Sequence, residues 1–166
     1  DESFVTYEVT AGVFGFIPNK IIGKNRKIKG VIQAEPKVVI QLTIPVRSFR
    51  SGNTTRDENI ADILKYKEFP EIRFRLLSIN DATFKQALEQ GSGEFTMQGE
   101  LTVAGKTKQY EFLVICEKVT DSKIKFKTQI NAKFTDFGIE PPTLWGFIKT
   151  APDRLLLRGE IIIDMK

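Results

Sequence analysis

The sequence of 166 residues contains no histidine and a single cysteine, Cys116. Without histidine, neither a Ser-His-Asp nor a Cys-His catalytic arrangement can form, and the commonest metal-ligating side chain is missing. One cysteine can form neither an intrachain disulfide nor a cysteine metal cluster, and it leaves the redox compartment undetermined. We therefore predict no catalytic residue, no metal ligand, no resident cofactor and no enzymatic activity.

The sequence also lacks long apolar runs and phosphate-binding loops. No stretch approaches eighteen consecutive apolar residues, so no transmembrane segment is predicted. Neither a GxGxxG motif nor a P-loop is present. The net charge is only +4, and Lys and Arg are spread along the whole chain rather than gathered in a patch with aromatics between them. A solvated strand face explains Lys123, Lys125, Lys127 and Lys133 better than a phosphate-binding stripe, so we predict no nucleic-acid partner.

What the sequence has in abundance is alternation of apolar and polar residues. A clear example runs through Val38, Ile40, Leu42, Ile44 and Val46, with mostly polar residues between them. About eight such ladders occur, and one apolar and one polar face is typical of antiparallel strands. Numerous strands with short turns predict an all-β fold, a closed barrel or a sandwich, in one domain spanning residues 1–166. The ladders cover residues 5–9, 28–34, 38–46, 72–76, 95–103, 110–116, 124–134 and 155–163.

Two segments depart from this alternation, and one turn is well marked. Thr55 and Glu58 have capping-box spacing and predict the start of a helix that ends before Pro70. A second short helix is predicted over residues 81–89. Gly105 lies between two ladders and predicts a tight hairpin.

The predicted interior is rich in phenylalanine and also contains small residues. Thirteen Phe stand against three Tyr and one Trp, and Phe fills apolar space without needing a hydrogen-bond partner. Small residues on the inward ladders either leave a lumen or interlock with the rings of facing strands, and the pattern leaves both open. A lumen with this lining would favour an elongated apolar ligand, at about 0.8 kcal/mol per buried CH₂. The small residues are Gly30, Ala34, Ser78, Gly99, Thr128, Ala132 and Gly159.

Several short motifs between residues 23 and 166 occur in an order that resembles the YceI-like family of bacterial lipid-binding proteins. They are Gly23 to Gly30; Val46-Arg47-Ser48-Phe49 with Ser51-Gly52-Asn53 and Arg56-Asp57; Phe69-Pro70-Glu71-Ile72-Arg73-Phe74; Gly99 to Lys108; and Asn131 to Gly138. The N-terminal segment departs from the pattern, because residues 11–16 carry no equivalent of the family's His-Ser pair. Residues 141–152 are also poorly matched and are predicted to form an apolar loop over a barrel mouth.

The resemblance implies an elongated, eight-stranded, lipocalin-like antiparallel barrel with one or two short helices. It implies binding, and possible transport or storage, of a polyisoprenoid or isoprenoid quinone in the lumen. It also implies a periplasmic or secreted protein; the start at Asp1 agrees with a removed leader or with trimming of the chain. A homodimer is left open. The residues predicted to line the lumen are Phe14, Phe16, Phe49, Phe74, Phe95, Phe112, Phe126, Phe134 and Trp145.

Two other functions stay open at this stage. The barrel could be solidly packed and act as a stress-response or adhesion module that binds a partner on its outer surface. An enzyme that uses Asp or Glu alone is the third possibility, but Glu68 and Glu71 are better explained as solvated loop charges.

Overall fold

A computed structural model of the protein describes residues 2–13, 17–141 and 152–164; at 11–13 and 17–19 it describes the backbone alone. These residues form one antiparallel sheet, two α-helices and two short 3₁₀ turns. The strands are β1 (Phe4–Val13), β2 (Ile17–Asn25), β3 (Lys29–Gln33), β4 (Val39–Pro45), β5 (Glu71–Ile79), β6 (Ser92–Val103), β7 (Lys106–Thr120), β8 (Lys123–Ala132) and β9 (Leu155–Asp164). The helices are α1 (Thr54–Ile63) and α2 (Asp81–Gln90), and the 3₁₀ turns are Val46–Ser48 and Thr135–Phe137.

The sheet curls into a half-barrel whose strands follow the order β2-β1-β9-β8-β7-β6-β5-β4-β3. Pairing of β1 with β9 places the first and last strands side by side, and β2 and β3 are the two edges. The end of β2 is tied to the segment after β4, where Lys24 and Arg50 exchange two backbone hydrogen bonds with N···O distances of 2.9 Å. We call this junction the seam. The predicted antiparallel all-β, barrel-type fold is confirmed, whereas the predicted strand number of eight is wrong by one.

The additional strand is β2, which the alternation did not reveal. Its sequence places Pro18 near its start, two adjacent isoleucines in the middle and Gly23 near its end. Proline cannot donate to a ladder and is confined to edge strands or strand ends, so its presence argued against a strand here. β2 is an edge strand, and this position accommodates the proline.

One small residue predicted to face inward lies on the outer surface instead. The pairing of β5 with β6 shifts register between Leu76 and Ser78, so that Leu76 opposes Gly99 and Ser78 opposes Gln98. A β-bulge inserts one extra residue and reverses the alternation beyond it. Ser78 is therefore exposed, and the prediction that it borders the interior is wrong.

Both predicted helices are present, but α1 begins earlier than the capping box indicated. Asn53 is its N-cap, and the side chain of Asn53 accepts a hydrogen bond from the Arg56 amide at 2.9 Å. At α2, Asn80 plays the same part, and Gly91 ends the helix in the left-handed conformation. No helix in the described part of the chain is long and apolar enough to cross a bilayer.

The two helices attach to the barrel to different degrees. From α2, Phe84 and Ala87 are buried beneath the sheet, with Phe84 only 1% exposed. From α1, Ala61 alone is buried, and its larger apolar residues are half-buried. α2 therefore closes one end of the half-barrel firmly, and α1 rests more loosely at the opposite end, where β4 ends and β5 begins.

Candidate ligand-binding cavity

An apolar cavity occupies the inside of the curled sheet. The cavity volume is about 190 Å³. Side chains from β1, from β3 to β9 and from both helices border this space. Ligand cavities of proteins are typically about 300 to 1,000 Å³ and mostly apolar. This cavity is smaller than that range, and it resembles a binding cavity in its apolar lining.

Six of the nine predicted lining residues border the cavity, and the other three lie outside the described residues. Phe14, Phe16 and Trp145 are in the latter group, as is most of the predicted mouth loop over 141–152. Whether the remaining six contact a ligand stays a prediction. Those six are Phe49, Phe74, Phe95, Phe112, Phe126 and Phe134.

The phenylalanines nearest α2 form an aromatic cluster that closes this end of the cavity. The Phe84 ring lies 5.6 Å from the Phe95 ring and 5.9 Å from the Phe126 ring, centroid to centroid. Edge-to-face and offset arrangements at such distances are favourable for aromatic pairs. Phe84 belongs to the helix predicted over residues 81–89, but its contact with the cavity could not be predicted, because this contact depends on where the helix docks.

The glycines of the inward ladders divide into packing and lining positions. At Gly99, an added Cβ would collide with the Phe74 ring and would approach the Phe112 ring to 3.1 Å. At Gly159, an added Cβ would lie 3.6 Å from Thr128 Cγ2, at ordinary contact distance. Aromatic rings therefore pack directly against Gly99, whereas Gly159 borders the cavity.

The opposite end of the cavity is bordered by α1 and the segment before it. Ile60, Ile63 and Leu64 line this end from the helix, and Phe49 lines it from the preceding segment. The period-two alternation of strands does not apply to these helical residues. Their i, i+3, i+4 spacing indicates an apolar face, but it does not show what that face covers. The Phe49 ring lies 5.4 Å from that of Tyr7 on β1, so these two rings pack against each other at this end.

Tyr7 lies on the predicted ladder over residues 5–9, but it was not predicted as a lining residue of this site. Its hydroxyl is the one fully buried side-chain oxygen or nitrogen without a hydrogen-bond partner among the described residues. Burial, assisted by the nearby Asp57 carboxylate and opposed by Arg56 and the Ser51 hydroxyl, raises the pKa of Tyr7 to about 12. Its ring lies directly over Gly23, where any larger residue would collide with it.

Arg56 and Asp57 have a structural role in this arrangement. The Asp57 carboxylate accepts hydrogen bonds from the amide and the hydroxyl of Ser51, at 2.9 and 2.6 Å. Arg56 Nε donates to the Ser51 hydroxyl at 2.9 Å. The two charged residues therefore fix the turn that leads into α1, and in the described structure they form no ion pair with each other.

The lysines on the outer face of β8 are neutralised by acidic residues on the neighbouring strands. Lys127 Nζ lies 2.6 Å from a Glu117 carboxylate oxygen, and Lys125 Nζ lies 4.0 Å from Glu160. This pairing supports the interpretation of a solvated strand face. Among the described residues, no three His, Cys, Asp or Glu side chains converge as metal ligands would.

Comparison with known families identifies this fold. The YceI-like domain profile matches residues 1–160 of the chain. The chain belongs to the YceI-like family. No curated protein sequence matches it.

Several solved structures have the same fold. The Burkholderia cenocepacia protein BcnA is 20% identical, with 97% of this chain and 96% of that chain covered and a TM-score of 0.74. A polyisoprenoid binding domain from Saccharophagus degradans, implicated in plant cell wall breakdown, is 12% identical, with 99% and 94% covered and a TM-score of 0.77. The Campylobacter jejuni YceI protein is 22% identical, with 94% and 91% covered and a TM-score of 0.71.

Proposed function

We propose that this YceI-like domain binds one long apolar lipid, an isoprenoid or isoprenoid quinone chain, without catalysing a reaction on it. The observation that carries the proposal is the apolar cavity, which extends from the α2 end of the half-barrel to the α1 end. Among the residues that the structure describes, the polar ones that border it are Thr6, Thr128, Tyr7 and Arg158. Such a lining offers little to a sugar or a nucleotide.

Shape and chemistry both favour a chain-like ligand. The cavity is bordered by side chains along β6 from Phe95 to Val103 and along β9 from Leu155 to Ile161. Strands rise by about 3.3 Å per residue, so this lining follows roughly 20 Å or more of strand. Each five-carbon isoprene unit would contribute about 3 to 4 kcal/mol before ordering costs. The name of the Saccharophagus degradans domain, polyisoprenoid binding, supports the same ligand class.

We propose in addition that the chain acts in the periplasm or outside the cell, where a soluble carrier could move or store such a lipid. Fractionation of cells that express the complete gene, with a cytoplasmic marker enzyme as control, tests this location. Recovery with the cytoplasmic marker alone contradicts it.

Native mass spectrometry after mild purification tests the lipid-binding function directly. A bound adduct with a mass that fits an isoprenoid or a quinone is expected. The same protein, delipidated, should take up a fluorescent isoprenoid at near-stoichiometric ratio. A clean apo mass together with no uptake would contradict the proposal and favour a packed module.

Fluorescence of Trp145, the single tryptophan, gives a second readout. We predict that Trp145 belongs to an apolar loop over the mouth, so uptake of a long-chain quinone should shift or quench its emission. Trp145→Ala should speed lipid release with only a modest loss of stability. Unchanged emission, with uptake shown independently, places Trp145 away from the mouth without contradicting lipid binding.

A further inference from the structure

One segment of the chain contains almost no acidic residues, so the positive charge is concentrated there. Lys and Arg are spread along the sequence, but residues 9–56 contain nine of them and a single acidic residue, Glu35. This segment therefore carries +8, and the rest of the chain carries −4. Such asymmetry within one domain indicates a surface that attracts an anionic partner.

The fold gathers the positive segment at the seam. Residues 9–56 supply both edge strands, β2 and β3, and the segment after β4. The backbone pairing of Lys24 with Arg50 brings the loop between β2 and β3 against the segment after β4. We call the cations of these two segments the basic seam: Lys24, Arg26, Lys27, Lys29, Arg47 and Arg50.

A fully buried asparagine holds this arrangement in place. Asn25 has no exposed surface, and its Nδ2 donates to the Pro45 carbonyl at 2.8 Å. Its Oδ1 accepts from the Lys27 amide at 2.7 Å, which orders the loop that carries the cations. Arg50 Nη1 donates to the carbonyls of Arg47 and Phe49, both at 2.7 Å.

Most of these cations lack an acidic partner. Arg26 pairs with Glu2 at 3.4 Å, whereas Lys27, Lys29, Arg47 and Arg50 have no ion pair with any residue that the structure describes. All four are exposed. The lysines of β8, in contrast, are matched by acidic residues on β7 and β9.

Apolar residues accompany the cations on the same two edge strands. Ile22 on β2 and Val31 on β3 are 47% and 52% exposed. Cations together with exposed aliphatic side chains are typical of surfaces that rest on an anionic bilayer, where charge attracts and apolar groups enter the interface. Surfaces that bind single-stranded nucleic acid instead present exposed aromatic stacking platforms. The aromatic rings beside the seam cations are partly buried and covered by those cations: Lys24 Nζ lies 4.0 Å from the centroid of the Phe4 ring, and the Arg47 guanidinium lies 4.9 Å from that of Tyr66.

The basic seam also lies directly beside the α1 end of the cavity. Phe49, which lines the cavity, is placed between Arg47 and Arg50 in the sequence. α1 follows a few residues later and lines the same end. We propose that the basic seam docks the protein onto a membrane of anionic lipid, with the α1 end of the cavity towards the bilayer. The docking itself does not require the proposed lipid ligand; its use for loading the cavity does rest on that function.

Vesicle flotation tests the docking. The full chain, freed of lipid, is mixed with vesicles of phosphatidylcholine and phosphatidylglycerol in equal amounts, or of phosphatidylcholine alone. Binding to the mixed vesicles, weakened by added salt, and much weaker binding to the neutral vesicles are expected. Equal binding to both, or binding to neither, overturns the proposal.

A matched pair of triple variants assigns the effect to the seam. K27Q/K29Q/R47Q should weaken partitioning onto the mixed vesicles by roughly tenfold or more, since each cation near an anionic surface contributes measurably. K123Q/K125Q/K127Q removes the same charge from β8 and should leave partitioning within about twofold. Equal losses in both variants would mean that only net charge matters, and would overturn the proposal. Circular dichroism and thermal melting establish that both variants fold.

Two further measurements separate this proposal from its alternatives. Uptake of a fluorescent isoprenoid from detergent should be unchanged in K27Q/K29Q/R47Q, so loss of vesicle binding and loss of ligand binding are distinguishable. A single-stranded oligonucleotide that displaces the protein from the mixed vesicles at matched phosphate concentration would overturn the membrane assignment in favour of nucleic acid.

Discussion

Two tyrosines near the interior differ in whether their hydroxyl groups find a partner. Tyr7 has none among the described residues, whereas the Tyr110 hydroxyl donates to Asp136 Oδ2 at 2.8 Å. An unpaired buried polar group costs about 1 to 3 kcal/mol, and a bond to a charged acceptor contributes a similar amount. The same substitution should therefore have opposite effects at the two positions.

We predict that Tyr7→Phe raises the free energy of unfolding by about 1 kcal/mol and that Tyr110→Phe lowers it by about 1 kcal/mol. Urea titrations at neutral pH measure both. A loss of stability in Tyr7→Phe would mean that the hydroxyl has a partner, such as water, that contributes to folding.

The pKa of Tyr7 adds a prediction about alkaline pH. Because the folded-state pKa is raised to about 12, the folded protein holds this proton more tightly than the unfolded chain. The resulting stability is present below pH ~10, the ordinary tyrosine pKa, and is lost as the pH rises through about 12. The stability advantage of Tyr7→Phe should therefore widen between these two values in urea titrations. A constant difference across this range would contradict the assigned shift.

Gly99 and Gly159, two of the glycines on the inward ladders, give a test of the lumen at the same scale. Gly159→Val would place methyl groups in the cavity, and displacing about two CH₂ contacts should weaken isoprenoid binding by roughly tenfold while the melting temperature holds. Gly99→Ala would press on the Phe74 ring and should lower stability by about 1 to 3 kcal/mol. Undiminished binding in Gly159→Val would mean that the ligand does not reach this position.

Among the elements, the two helices are expected to differ in their mobility. α2 is fixed by Phe84, whose truncation to Ala should cost about 3 to 5 kcal/mol. α1 contributes half-buried side chains, and Ile63→Ala should cost only about 1 to 2 kcal/mol. Thermal and urea unfolding of the two variants check this ranking.

Hydrogen exchange tests the same contrast without mutation. Amides of α1 should exchange faster than those of α2 in the ligand-free protein, because fewer buried contacts hold α1 in place. Bound isoprenoid should slow exchange in α1 and leave α2 nearly unchanged. Equal protection of the two helices in the free protein would contradict the assignment of α1 as the looser end.

How far the sequence predicted these elements depends on what each one buries. Eight strands have one apolar face over most of their length, and this regularity revealed them without a structure. β2 was missed because Pro18 and Gly23 interrupt its pattern. Five of the six cavity phenylalanines, and Tyr7, lie on ladders that the alternation revealed. Phe49, Ile60 and Ile63 do not, because their places depend on the path of the chain after β4 and on helix docking.

For the whole molecule, two kinds of binding should respond differently to salt. Uptake of an uncharged isoprenoid into the cavity should vary little with ionic strength, since few charges border it. Docking through the basic seam should weaken steeply under the same conditions. Titrations of fluorescent isoprenoid in detergent, at low and high salt, check the first statement, and a steep dependence there would place the ligand on the outer surface.

Because the sheet is not completely closed, the half-barrel can change its circumference. In a sealed barrel, strand number and stagger fix the circumference, so widening it requires breaking a whole ladder. Here the described edges are joined at the seam by one backbone pair, Lys24 with Arg50, together with Asn25. If these contacts broke, the sheet could uncurl while all eight pairings between the described strands stayed intact. We expect the protein to take chains of different thickness in this way.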